Sequence, residues 1–300
     1  MSLWIPITIA AALFQTVRFM LQKSLSAVTL SAAGATFARF AYSAPLIVIA
    51  LLAYLLATEQ GLPSMTALFW LFVTAGGLAQ ILATVCVVLL FKQRNFAVGI
   101  TFKKTEVIQT ALVGLAVLGD GITVGGWVAI LIGLAAVLVL SKTPGGSGPW
   151  WRHLTNRASL LGLSSGVLFA VSAVSYRGAS LELGQGDAIL RAATTLAAVT
   201  TTQMLGMVLW LAWRDRAQLA AVWASRKVSV WVGLTSMGGS FCWFLAFTLQ
   251  NAAYVKALGQ VELIFSLMAS TLFFREEITG REIAGMGMLV LSILVLVLAI

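Results

Sequence analysis

The sequence predicts an all-α polytopic membrane protein, with ten transmembrane helices arranged as two inverted five-helix repeats. The prediction depends on the apolar composition, on the spacing of apolar segments, and on polar residues that recur in both halves of the chain. The 300 residues are 60% hydrophobic and 10% charged, and the mean hydropathy is +0.99. These values lie well outside the range of soluble globular domains.

Apolar segments follow one another along the whole chain, with mostly short connectors between them. A hydrocarbon core of about 30 Å requires roughly 20 apolar residues per helix, so this chain has room for about ten spans and no further soluble domain. The longest polar connector divides the chain near its midpoint. It predicts a first five-helix repeat at 1–145, a linker at 146–156 and a second repeat at 157–300. The predicted spans are 3–22, 31–57, 66–91, 96–119, 122–141, 158–178, 187–213, 229–250, 253–274 and 280–299.

Polar residues recur in the two halves at a separation of 156 positions. This shift places Glu106 on Glu262 and Asp120 on Glu276, and polar matches carry more weight than leucine matches in so apolar a chain. Because each half has an odd number of spans, the second half must enter the membrane from the opposite side. Inverted repeats are typical of secondary transporters, whose binding site lies near the midplane. The alternative is chance similarity between two apolar halves.

The net charge is +9, and most of the basic residues lie in the connectors between spans rather than in one patch that could bind a charged partner. Basic residues collect after the odd-numbered spans, which by the positive-inside rule places those connectors in the cytoplasm and both termini outside. There is no dense run of lysine and arginine, so no nucleic-acid partner is expected. Cys86 and Cys242 lie within apolar spans and are expected to be reduced packing residues.

Catalytic and cofactor motifs are lacking. The single histidine, His153, lies in the central linker, which argues against a metal site or a histidine relay. There is no P-loop. The sequence therefore predicts neither an enzyme nor a bound cofactor.

Ionisable and polar residues inside apolar spans are the candidate functional residues, because such groups are costly in hydrocarbon and usually face a cavity. Three polar residues of span 1 share one helical face. Spans 4 and 9 carry polar patches in equivalent regions, and one tryptophan of span 8 needs a partner for its indole N–H. The candidate cavity residues are Gln15, Arg18, Gln22, Lys103, Lys104, Glu106, Trp243, Lys256, Gln260 and Glu262.

Structural interpretations stand beside these functional ones. Lys103 and Lys104 could extend to the headgroups, and both glutamates could serve as partners of nearby basic residues. Arg39 and Arg191 coincide at a shift of 152 and are interpreted as gating or structural residues first. Pro45 is expected to kink span 2.

The closing stretch is the most characteristic part of the chain. It runs from Gly259-Gln260-Val261-Glu262 to Phe273-Phe274-Arg275-Glu276-Glu277-Ile278-Thr279-Gly280, and its counterpart begins at Gly119-Asp120-Gly121-Ile122-Thr123. In these motifs and in its two fivefold halves the whole chain resembles the drug/metabolite transporter superfamily, EamA type. Its length and layout look most similar to the bacterial aromatic and neutral amino-acid exporters.

The resemblance implies a multi-pass protein of the bacterial inner membrane that exports small zwitterionic metabolites, amino acids above all, by alternating access around a cavity between the repeats. Two features depart from the family. Lys104 and Gln260 stand where members commonly have proline. The basic residues of many members suggest cytoplasmic termini, whereas those of this chain suggest termini outside the cytoplasm. The expected partners are a small solute and the lipid bilayer, with proton coupling left open, and the chain is expected to be a monomer or weak dimer.

A transporter of another class is the alternative. Cationic drugs would favour a dominant buried carboxylate, and phosphorylated solutes such as nucleotide sugars or lipid-linked substrates would favour a dominant basic cluster. This chain carries both signs of charge within its spans, which favours zwitterions. A membrane enzyme or assembly scaffold would instead show no flux of solute.

Overall fold

The computed structural model describes residues 2–28, 30–91, 103–140, 157–265, 268 and 280–299, and the elements within these ranges are helices. Within the helices, the structure does not describe the side chains at positions 19–20, 22–28, 32, 88 and 91. The predicted cavity residue Gln22 is among them. The helices are α1 (Trp4–Val28), α2 (Ala32–Thr58), α3 (Ala67–Phe91), α4 (Glu106–Leu118), α5 (Val124–Leu140), α6 (Arg157–Glu182), α7 (Ala188–Arg214), α8 (Arg216–Ala224), α9 (Arg226–Leu249), α10 (Ala252–Leu258) and α11 (Gly280–Leu298), with a 3₁₀ turn at Gly259–Val261.

Six of the described helices are long and apolar enough to cross a membrane, namely α2, α3, α6, α7, α9 and α11. The helices α4 and α5 are shorter and also apolar. Large apolar side chains face outward, and Leu56, Leu209 and Trp213 are 83%, 72% and 82% exposed. Such faces suit lipid better than water. The chain is therefore a multi-pass membrane protein, and the regular elements of its described residues are all helices.

Each predicted span overlaps a described helix, while residues 96–102, 266–267 and 269–274 of spans 4 and 9 are not among the described residues. The count of ten membrane crossings stays a prediction. One helix was not predicted. Arg216–Ala224 forms α8 in the connector after span 7, directly after Asp215.

The chain divides into two compact units, and each unit takes segments from both halves of the sequence. The first unit comprises Met1–Ile81 and Ser175–Gln250, and the second comprises Leu82–Val174 and Asn251–Ile300. The compact units therefore differ from the predicted repeats. The repeat boundaries stay a prediction, and the linker 146–156 lies outside the described residues.

In the first unit, α2 packs against both α7 and α9, and α1 packs along α9. One core forms where α2, α7 and α9 meet. Burial of these large side chains fixes the facing surfaces of the three helices. Its members include Phe37, Phe40, Met207, Leu211 and Val232.

In the second unit, α5 and α11 pack against each other at close range through small residues. The Ser292 hydroxyl donates to the Ala129 carbonyl oxygen at 2.7 Å, and a Cβ added at Gly133 would lie 2.8 Å from Ser292 Oγ. A Cβ added at Gly285 would lie 3.4 Å from the Ala136 carbonyl oxygen. Small residues of this kind let two membrane helices approach until their backbones nearly touch.

The contacts between α5 and α11 occur in a pair that the 156-residue shift of the sequence analysis interchanges. Position 129 faces position 292, and position 136 faces position 285. Adding 156 to 129 and 136 gives 285 and 292, so the shift exchanges the two contacts. Helices related by a two-fold axis make contacts of this reciprocal kind.

Candidate functional sites

The polar patches of spans 4 and 9 come together in the second unit. Lys103 and Lys104 lie directly before α4, and Glu106 is the first residue of that helix. Lys256 lies in the last turn of α10, and Glu262 follows the 3₁₀ turn. An acidic residue at a helix start and a basic residue at a helix end both complement the helix dipole. Local helix geometry therefore favours these charges at these positions.

The lysines and glutamates form crossed ion pairs. Glu106 Oε1 lies 2.6 Å from Lys256 Nζ, and Glu106 Oε2 lies 3.4 Å from Lys103 Nζ. Glu262 Oε1 lies 2.7 Å from Lys104 Nζ. Glu106 and Glu262, which coincide at the shift of 156, thus each pair with a lysine from the other segment. Because the side chains are only 10–20% exposed, each charge needs this compensation.

Phe169 of α6 contacts two of the ammonium groups in this cluster. Its ring centroid lies 5.1 Å from Lys103 Nζ and 5.9 Å from Lys256 Nζ, within the range of cation–π attraction. The sequence analysis did not identify this residue. Nothing in the local sequence distinguishes it from the other phenylalanines, which total 16.

A small cavity lies beside the ion pairs, with room for about one water molecule. Three polar residues line it, Lys104, Gln260 and Ser292. Gln260 is buried, and its Oε1 has no hydrogen-bond partner among the described residues. The rest of the lining is Val107, Ile108, Ile130, Gly133, Leu134, Val137 and Ala257. The cavity is thus mainly apolar, with an ammonium group and an unmatched acceptor in its wall.

Two of the predicted residues meet in the first unit. The Trp243 indole N–H donates to Gln15 Oε1 at 3.1 Å, so the predicted need of this indole for a partner is confirmed. The Trp243 ring also stacks on Phe247, with centroids 5.8 Å apart. Arg18 lies three positions after Gln15 on α1 and is buried.

Arg39 is buried in the first unit and bonded to two serines of α9. Its Nε donates to Ser236 Oγ at 2.7 Å, and its Nη2 donates to Ser240 Oγ at 3.1 Å. Its counterpart Arg191 is half-buried near the start of α7, and the Nε of that side chain has no partner among the described residues. Pro45 lies inside α2, which is one helix from Ala32 to Thr58.

A polar clamp joins the end of α2 to the start of α7. The Asp187 carboxylate accepts hydrogen bonds from the Tyr54 hydroxyl at 2.7 Å, the Gln60 amide at 3.0 Å and the Leu190 backbone N–H at 2.8 Å. The bond from Gln60 is the largest of several that lower the pKa of Asp187 below its usual value. Asp187 also caps α7, so the clamp fixes the entry of that helix.

These features define a class of protein, the multi-pass helical membrane protein that holds compensated charges among apolar helices. Residues 156–298 match the EamA-like transporter family. The second half of the chain is therefore similar to the EamA-like transporter domain, which belongs to the drug/metabolite transporter superfamily. This family consists of membrane transporters of small molecules.

A solved structure described only as "Crystal structure of protein" is similar over 99% of this chain and 97% of that chain. The TM-score is 0.69 and the sequence identity is 16%, so this likeness shows the fold alone. Among curated proteins, none matches this sequence.

Proposed function

We propose that this protein is a secondary transporter of the bacterial inner membrane that exports small zwitterionic metabolites, above all amino acids including aromatic ones. The observation that carries the proposal is the crossed ion-pair cluster of Lys103, Lys104, Glu106, Lys256 and Glu262. Ionisable groups inside the membrane usually mark a substrate or ion pathway. The cluster offers both signs of charge, as a zwitterion requires.

The crossed pairs suggest how a zwitterion could enter without leaving a charge uncompensated. A substrate carboxylate can replace Glu262 at Lys104, while the substrate ammonium group replaces Lys104 at Glu262. Removing one partner of a buried pair outright costs about 3–5 kcal/mol, and a ligand that supplies both charges offsets that cost. A solute with a single charge compensates only one side of the opened pair.

Alternating access in this proposal uses two inverted repeats, at 1–145 and 157–300. The reciprocal contacts of Ala129 with Ser292 and of Ala136 with Gly285 support it. The crossed pairing of Glu106 and Glu262 supports it as well. In such transporters one helix group rocks against another around a fixed site.

The test is uptake into proteoliposomes of a panel of radiolabelled amino acids, with and without a proton gradient. The proposal predicts saturable flux for which aromatic amino acids compete, and a response to the gradient would show proton coupling. Where variants of the cluster are compared in this assay, the matched control is Arg281→Gln, since Arg281 is exposed and donates to the Val139 carbonyl oxygen. Flux no higher than in protein-free liposomes for every amino acid would contradict the proposal.

One observation favours a second candidate, a transporter of phosphorylated solutes such as nucleotide sugars. The cluster holds three lysines against two glutamates, an excess of one positive charge. A drug cation fits less well, because both carboxylates already have lysine partners. Competition by nucleotide sugars in the same liposomes, with none by amino acids, would favour this candidate.

A further inference from the structure

The environment of Arg39 contains more hydrogen-bond donors than acceptors. Ser236 Oγ and Ser240 Oγ both accept from the Arg39 guanidinium, and neither hydroxyl donates to an acceptor among the described residues. Ser43 lies four positions after Arg39 on the same face of α2, and its buried hydroxyl has no partner in the described part of the chain. Three hydroxyl protons therefore lie near a buried guanidinium with no acceptor among the described residues.

The Arg39 guanidinium has five N–H donors. Two of them make the hydrogen bonds to Ser236 and Ser240. No carboxylate of the described residues forms an ion pair with Arg39, whereas Lys103, Lys104 and Lys256, the three described lysines of the second unit, all have glutamate partners. Arg39 is 8% exposed and lies roughly 10 Å along α2 from its start. A buried charge in this position calls for a negative partner.

We propose that Arg39, Ser43, Ser236 and Ser240 form a second carboxylate site, in the first unit, which the carboxylate group of the transported solute occupies at a different step of transport from its contact with Lys104. A carboxylate accepts hydrogen bonds only, offers about four lone-pair sites, and can accept two parallel bonds from one guanidinium. It therefore supplies both the acceptors and the negative charge that this group of residues lacks. The inference deepens the proposed function and rests on it in one respect, that the carboxylate belongs to the transported solute.

Arg39 is then a specificity-determining residue rather than the gating residue that the sequence suggests. Serines 236 and 240, one turn apart on α9, hold the guanidinium in place through its Nε and Nη2 atoms. The Nη1 edge is left for a ligand. Arginine suits this task better than lysine, because its planar fork fits both carboxylate oxygens.

The test compares two probes that each carry half of an aromatic amino acid, 3-phenylpropanoate with only the carboxylate and 2-phenylethylamine with only the ammonium group. Binding to the purified full-length protein is measured by titration calorimetry. Arg39→Gln should raise the Kd for 3-phenylpropanoate roughly tenfold or more, as expected for a lost charge-assisted hydrogen bond, and should leave the Kd for 2-phenylethylamine unchanged. Arg216→Gln, which removes an exposed charge, is the control.

Ser43→Ala is a second test variant, chosen because it should reduce carboxylate binding without destabilising the protein. The Ser43 hydroxyl makes no hydrogen bond in the described structure, so its removal should leave the melting temperature of the ligand-free protein unchanged or higher. The Kd for 3-phenylpropanoate should nevertheless rise about threefold to tenfold. Wild-type protein that does not bind 3-phenylpropanoate, or variants that bind it as wild type does, would overturn the inference.

Flux distinguishes this inference from the proposed function. Carboxylate binding that depends on Arg39, in a protein that moves no amino acid, would support the binding site and reject the proposed transport. Amino-acid flux that Arg39→Gln and Ser43→Ala both leave intact would support the transport and reject the binding site.

Discussion

The pair formed by Lys104 and Glu262 offers the sharpest separation of structural from functional roles. The perturbation is a double-mutant cycle with Lys104→Met, Glu262→Leu and the two together. At 2.7 Å and an effective dielectric constant of about 20, the attraction between the two charges is about 6 kcal/mol, most of which offsets their desolvation. Each single variant leaves one charge buried without its partner.

We expect each single variant to lower the free energy of unfolding by about 3 kcal/mol, at the lower end of the range for broken buried pairs because the side chains are 10% and 16% exposed. The double variant replaces the pair by apolar groups of similar size, so its stability should return to within about 1 kcal/mol of the wild type. Unfolding is followed by far-UV circular dichroism as sodium dodecyl sulfate is added to protein in micelles.

Flux in proteoliposomes is measured on the same three variants. The double variant should be stable and inactive, because it lacks both groups that a zwitterion would contact in the ion-pair cluster. A stable double variant that transports at the wild-type rate would show that this pair is structural only. Single variants as stable as the wild type would contradict the ion pair itself.

Three further predictions concern packing, hydrogen bonding and pH. Gly76→Ala should destabilise the protein by about 1–3 kcal/mol, because the added Cβ would lie 2.8 Å from Ser175 Cβ, whereas Gly206→Ala meets no atom within 4 Å and should be neutral or stabilising in the same unfolding assay. Trp243→Phe removes the N–H donor to the glutamine of α1 and should cost about 1 kcal/mol, and an unchanged stability would refute that hydrogen bond. Asp187→Asn should lower the melting temperature at pH 7. Because the folded-state pKa of Asp187 is depressed, its contribution is present above the unfolded pKa of about 3.9 and is lost as the pH falls through the lower folded value. Equal deficits at pH 7 and pH 3 would contradict this assignment.

The helices of this protein are largely predictable from sequence, because a membrane span requires a long run of apolar residues that is easy to recognise. The span predicted at 31–57 became Ala32–Thr58, and that at 187–213 became Ala188–Arg214. The short helix Arg216–Ala224 was missed, because Arg214, Asp215 and Arg216 read as a polar connector. Its nine residues are too few for a membrane span, so a search for long apolar runs gives no signal there.

The candidate sites were predictable residue by residue but not as contacts. The glutamates stood out because charges are rare in apolar spans. Their partners depend on how α4 packs against α10, which no local pattern encodes, so the crossing of Glu106 to Lys256 and Glu262 to Lys104 emerged only from the structure. Ser236, Ser240 and Phe169 were missed for the same reason, since serine and phenylalanine are ordinary residues within spans.

Counterflow of labelled phenylalanine tests the central claim of zwitterion transport most directly. Proteoliposomes are loaded with unlabelled phenylalanine, and external labelled phenylalanine is followed with no ion gradient present. Transient accumulation of label inside the wild-type liposomes, absent from liposomes with the Lys104→Met/Glu262→Leu double variant, is the predicted result. Label that never exceeds its equilibrium level with wild-type protein would contradict the claim.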